Sequence, residues 1–145
     1  MTESIQFFTE NINYKLKNKT KLRKWIRTVV MMEQYEAKDL NFILCDDGLL
    51  FEMNSKYLKN NTLTDILTFT FSEEKRIISG DIYISLPRIR ENASKFKEII
   101  EDELHRVMIH GILHLLGYED HSKEEKIKMR QRENICLTCL SEIES

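Results

Sequence analysis

The sequence predicts an α+β fold, a single domain over residues 1–145 in which about five helices pack on one mixed sheet of about four strands. Helical spacing of apolar residues, strand alternation elsewhere, and an order of elements that does not strictly alternate all lead to this class. A chain of 145 residues is one domain by length and buries enough of its surface to need no disulfide or metal staple.

Ile5 to Thr9 reads as a short strand, and Thr20 to Gln34 as a helix. In the helix Leu22, Trp25, Ile26, Val29 and Val30 follow the i, i+3, i+4, i+7, i+8 stripe of a core face. Leu40, Phe42 and Leu44 alternate as in a half-buried strand. Asp46 or Asp47 can then cap a helix carrying Leu49, Leu50, Met53 and Tyr57. Ile66 to Phe71 and Ile77 to Ser85 read as strands joined by the polar segment Ser72 to Arg76, which predicts a hairpin. Pro87, the only proline, suits the first turn of a helix. Two helices follow, roughly Pro87 to Lys97 and Glu98 to Leu116, and Ser122 with Glu125 forms a capping box that opens the last helix.

Charged residues make up 32% and hydrophobic ones 41%, which fits a soluble globular protein and is too apolar for a disordered one. There is no apolar run approaching ~18 residues, and Met1 to Ile5 lacks a basic region leading into an apolar stretch. The expected location is cytoplasmic, without secretion or membrane insertion. Cys45, Cys136 and Cys139 make an odd count, so free thiols in a reducing compartment are expected. The single Cys136-Leu137-Thr138-Cys139 lies near the end of a predicted helix with no strand before it, and reads as structural.

A net charge of −2 argues against a protein that coats nucleic acid by bulk electrostatics. Its distribution is uneven. Asn11 to Met32 contains no acid and holds Lys15, Lys17, Lys19, Lys21, Arg23, Lys24 and Arg27. This run reads equally as a solvated face and as a set of phosphate contacts for a structured RNA, whose binding would then depend on salt.

The chemistry concentrates in His110-Gly111-Ile112-Leu113-His114, followed by Leu115-Leu116-Gly117-Tyr118-Glu119-Asp120-His121. Histidines at i and i+4 project from one helical face and can meet one divalent ion. Gly117 lets the backbone turn so that a third ligand swings back. Spacing favours Asp120 as that ligand, with His121 the alternative; an aspartate oxygen makes the site harder and a histidine makes it more zinc-like. His105 falls off the face of the pair and reads as a surface or supporting residue. Zinc proteases of the HExxH type carry a glutamate base directly after the first histidine; Gly111 occupies that position, so peptide hydrolysis is disfavoured.

The stretch from His110 to His121 resembles the signature of the YbeY family, metal-dependent endoribonucleases of ribosomal RNA maturation. Leu63-Thr64-Asp65-Ile66-Leu67-Thr68-Phe69 and Ser79-Gly80-Asp81-Ile82-Tyr83-Ile84 resemble two strands of that family, and Met129 falls where it often carries a methionine. The likeness extends over about residues 40 to 135. It departs at Glu119-Asp120-His121 and at Leu58, where many relatives have an arginine considered functional. Losing a guanidinium there removes a bidentate phosphate clamp, which Lys56 or Lys59 matches only as a point charge.

The resemblance implies hydrolysis of an RNA phosphodiester by water on a zinc ion held by His110, His114 and Asp120 or His121, the metal acting as nucleophile source and Lewis acid. It also implies that Thr64 and Asp65 shape the cleft or orient substrate, though both equally suit strand-end hydrogen bonding. The implied substrate is the precursor of small-subunit (16S) ribosomal RNA near its 3′ end, and the implied partners are ribosomal proteins or assembly factors. Two other readings fit the residues: a metallohydrolase of a non-RNA substrate, and a non-catalytic ribosome-assembly factor with a structural zinc.

Overall fold

The computed structural model describes residues 4–57 and 65–144, and the order of elements follows the sequence periodicities closely. They are β1 (Ser4–Glu10), α1 (Lys19–Met32), β2 (Glu36–Cys45), α2 (Asp47–Tyr57), β3 (Ile66–Thr70), β4 (Ile77–Ser85), α3 (Leu86–Lys95), α4 (Ile100–Leu115) and α5 (Lys123–Glu142). The chain is a single α+β domain built on one mixed four-stranded sheet of order β1-β2-β4-β3. β1 and β4 both run parallel to β2, and β3 closes the sheet as the antiparallel partner of β4.

The helical stripe on α1 is wholly buried. It packs with the inward residues Leu40, Phe42 and Leu44 of β2, with Ile78, Ile82 and Ile84 of β4, and with apolar residues of α3, α4 and α5. Helices α1, α3 and α4 thus lie on one face of the sheet, and α5 packs on α1 and α4. Trp25 is fully buried, and its indole N–H donates to the Cys136 carbonyl at 2.8 Å, so the polar handle that ties α1 to α5 is satisfied.

β2 departs from the expected half-buried strand. Ile43 and Cys45, on its second face, are also buried, and Cys45 is covered by α2, whose Leu50 packs against it and Leu67. α2 starts where Asp46 caps it, Oδ1 accepting the Leu49 N–H at 2.8 Å. Ser85 caps α3, with Pro87 in the first turn.

The β3–β4 hairpin depends on a close approach. Gly80 faces Thr70 in the register, and a Cβ built on it would lie 2.1 Å from the Phe69 carbonyl oxygen. Only glycine fits there.

α4 carries Glu101, Asp102 and Glu103 in its first turn, the acidic end that the helix dipole favours. Its buried residues Leu104, Val107, Met108, Ile109, Ile112 and Leu113 hold it against the core. Gly111 faces the sheet: a Cβ there would lie 2.9 Å from Ile66 Cδ1 and from Ile82 Cγ2. This packing leaves His110 and His114 on the half-buried side of the helix. Among the described residues no helix is long and apolar enough to cross a membrane.

Candidate metal centre

Just past the C-cap Leu116, α4 is terminated by Gly117, whose φ of +104° only glycine adopts without strain. The Tyr118 N–H returns to the Leu113 carbonyl at 2.9 Å and the Gly117 N–H to the His114 carbonyl at 3.0 Å, a Schellman closure. The chain reverses over three residues. On the far side the capping box of α5 takes over: Glu125 Oε1 accepts the N–H groups of His121 and Ser122 at 3.1 and 2.8 Å, and Ser122 Oγ accepts from the Glu125 N–H. Fixed at both ends, the segment turns Asp120 back toward α4.

His110, His114 and Asp120 each offer a ligand atom, and these atoms lie within 4.8 Å of one another. The two Nε2 atoms are 2.9 Å apart, and Asp120 Oδ2 stands 3.3 Å from His110 Nε2 and 3.4 Å from His114 Nε2. With metal–ligand bonds of 2.0–2.1 Å, the edges of a tetrahedral zinc site measure about 3.3 Å. His121 is exposed and stands outside this group.

Each ring is oriented by a partner at Nδ1. The His110 Nδ1–H donates to Glu133 Oε2 at 2.6 Å, and the His114 Nδ1–H to the Tyr118 carbonyl at 3.0 Å. Since the acceptors put the protons on Nδ1, both neutral rings turn lone pairs toward the same point. Two lone pairs facing across 2.9 Å with a carboxylate beside them require a cation, either a proton or a metal ion. The donor set fits a divalent ion of the zinc type.

The electrostatics follow from these contacts. Burial opposes a charged His110, but the hydrogen bond and charge of Glu133, helped by Asp120 and Asp65, outweigh it and raise its pKa. For His114, burial and the neighbouring His110 prevail over Asp120 and the Tyr118 carbonyl, and its pKa falls. Glu133 is 5% exposed; burial would raise its pKa, yet hydrogen bonds from His110 and from Arg106, whose Nη1 lies 3.0 Å away, hold it below the ordinary value. A proton therefore resides more readily on His110 than on His114, and a metal ion binding both must displace it.

The family model described as "Endoribonuclease YbeY" matches residues 5–141. The chain belongs to that family. An endoribonuclease YbeY of Cytophaga hutchinsonii is 43% identical over 136 residues, covering 94% of this chain and 95% of the relative. Another from Karelsulcia muelleri is 46% identical over 133 residues, covering 92% and 93%. Among solved structures, the solution structure of a Thermotoga maritima protein superposes with a TM-score of 0.62 at 31% identity, covering 93% of this chain and 90% of that one. YbeY is a family of hydrolytic endoribonucleases, and this chain is an enzyme of that class.

Of the remaining residues singled out in the YbeY-like sequence, Asp65 sits just before β3, where its carbonyl accepts the Ser85 N–H at 3.0 Å and its charge acts on His110. Thr64, Leu58 and Lys59 lie outside the described residues. His105 supports Trp25 rather than the metal group, its ring meeting the indole edge-on at 6.2 Å. Cys136 is buried, which pushes its thiol up to about 11 and leaves it unreactive at neutral pH. Arg23, within the basic run, donates to the Ile5 carbonyl at 2.8 Å and lies over the Phe7 ring, whereas Lys15, Lys17, Lys19 and Lys24 are exposed. Glu133 and Arg106 were not singled out from the sequence. The signal was present in α5: Met129, Glu133, Cys136 and Leu140 form a buried stripe with one acid set among apolar residues.

Proposed function

We propose that the chain is a zinc-dependent endoribonuclease of single-stranded RNA that matures the 3′ end of small-subunit ribosomal RNA. The reading rests on one observation, the two Nε2 lone pairs and one Asp120 oxygen converging on a point in a chain of the YbeY family. A zinc ion held by His110, His114 and Asp120 would supply Lewis acidity toward water and toward a phosphodiester oxygen. The protein's part is to keep the donors aimed. Glu133 Oε2 retains the proton on His110 Nδ1, and the Tyr118 carbonyl retains that on His114 Nδ1. Asp65, whose charge reaches His110, orients substrate, and Thr64 is proposed for the same role on the sequence likeness.

No carboxylate follows His110, because Gly111 packs on Ile66 and Ile82. This supports a nuclease rather than an HExxH-type protease, since the general base that such proteases carry directly after the first histidine is missing. The exposed lysines of the basic run bind RNA phosphates, and binding weakens as salt rises. Ribosomal proteins or assembly factors are the proposed partners, and the cytoplasm the proposed location.

The test is the 3′-end length of small-subunit ribosomal RNA in cells whose only copy carries His114→Ala, with the protein level monitored. A 3′ extension at normal protein abundance is the expected result. A mature end at that abundance refutes the processing role.

A further inference from the structure

We propose that Glu33 is a positioning residue of the metal centre, acting through Tyr118 to hold the turn that aims His114 and delivers Asp120. The inference rests on the reading of His110, His114 and Asp120 as a metal site.

Tyr118 is the pivot of that turn. Its N–H closes α4 on Leu113, its carbonyl accepts from His114 Nδ1, and its hydroxyl donates to Glu33 Oε1 at 3.0 Å. The other oxygen of Glu33 binds Arg132 Nη2 at 2.6 Å. One carboxylate therefore joins the end of α1, the ligand-bearing turn and α5. Glu33 and Arg132 are 19% and 21% exposed, so water competes weakly for the pair.

Glu33 is misplaced for its own helix. It is the C-cap of α1, at the negative end of the dipole, and the last turn of α1 has no basic residue to offset it. A carboxylate that disfavours its own helix end but matches two partners distant in sequence is explained by those partners. The turn needs such a tie, because residues 118–120 form no regular structure and are held by the closure on α4 at one end and the capping box of α5 at the other. Between these ends, the Tyr118 side chain links the turn to α1. A shift of Tyr118 moves the acceptor of His114 and the tether of Asp120 together.

The experiment measures affinity for zinc alone by chelator competition, with thermal unfolding of the metal-free proteins alongside. Tyr118→Phe keeps the ring, the backbone carbonyl and the Glu33–Arg132 pair, and removes only the hydroxyl donor. Tyr118→Phe and Glu33→Ala are each expected to weaken zinc binding roughly 10-fold, the lower end for groups that orient ligands indirectly. The double variant should lose little more than either single one, since both remove the same link. Glu33→Gln, which keeps an acceptor for the tyrosine, should recover part of the affinity lost in Glu33→Ala. Ile26→Val, a core change in α1, reports on destabilisation alone and should bind zinc as the wild type does.

Wild-type affinity in both Tyr118→Phe and Glu33→Ala overturns the inference while leaving the metal site intact. Loss of affinity in Ile26→Val in proportion to its melting temperature overturns it too, since stability would then explain the effect. If the unaltered protein binds no zinc, the metal reading itself fails and takes the inference with it. Should Glu33→Ala not fold, Tyr118→Phe alone decides.

Discussion

Replacing Glu133 by glutamine isolates the carboxylate behind His110 while preserving shape. In the wild type Oε2 accepts the His110 Nδ1–H at 2.6 Å and Oε1 accepts from Arg106 at 3.0 Å, in a side chain that is 6% exposed. A hydrogen bond to a charged acceptor contributes about 1.5–3 kcal/mol and a neutral one about 1, so the substitution removes roughly 0.5–2 kcal/mol of orientation at His110. At 1.4 kcal/mol per decade this weakens zinc binding about 2- to 30-fold, the upper part of which overlaps the range of about 10- to 100-fold for partners of ligating histidines. Folding should suffer less than in an isolated buried pair, because Arg106 is 21% exposed and its Nη2 keeps Asn134 Oδ1 at 3.0 Å. The assay is chelator competition on folded protein at pH 7.5. Zinc affinity within twofold of wild type, with the fold intact, refutes the assignment of Glu133 as the group that orients His110.

Three further outcomes are expected. Gly80→Ala drives a methyl group to 2.1 Å from the Phe69 carbonyl, so the β3–β4 hairpin must part; a loss of about 3 kcal/mol or more and a melting temperature about 10 °C lower are expected, and an unchanged melting curve contradicts the register. Chelation should leave the fold standing, because Trp25, Phe42 and Ile82 are fully buried in an apolar core that includes none of His110, His114 and Asp120, whereas 100 Kd of free zinc should add at most about 2.7 kcal/mol; collapse of the far-ultraviolet signal on chelation shows instead that the metal is structural. Burial depresses the His105 pKa below its ordinary 6.5, against the pull of Asp102 and Glu101, so the folded chain refuses a proton that the unfolded chain accepts. The stability this residue contributes is present above about pH 6.5 and lost as the pH falls through the lower folded value. The stability gap between wild type and His105→Gln in urea should therefore narrow from pH 7.5 to pH 5.5, and a constant gap refutes it.

Features set by local periodicity and capping were readable in the chain. The α1 stripe, the Asp46 cap, the hairpin around Ser72 to Arg76 and the capping box of Ser122 and Glu125 each depend on residues within one or two turns of each other. The second face of β2 was not, since Cys45 is covered by Leu50 of a separate helix, and alternation of Leu40, Phe42 and Leu44 says nothing of what lies behind. Nor could alternation reveal that β4 inserts between β2 and β3. The same division runs through the metal centre. The candidate ligands are close in sequence and spacing alone grouped them, and the Gly117 turn brings Asp120 to the histidine pair. Their supports, Glu133 and Glu33, lie 23 and 85 positions from the residues they hold, and single acids in helices look like solvated ones until the packing is known.

The grouping of His110, His114 and Asp120 on one short stretch also bears on the order of events during synthesis. Closing so small a loop carries little chain entropy, so an ion can be captured loosely while most of the domain is still unfolded. Grip tightens only when α5 docks Glu133 behind His110 and α1 brings Glu33 to Tyr118. An ion bound tightly at the end of that sequence would report completed folding, and the thermal shift it produced would be smaller than its native affinity implies, because an unfolded chain that keeps part of the binding offsets it.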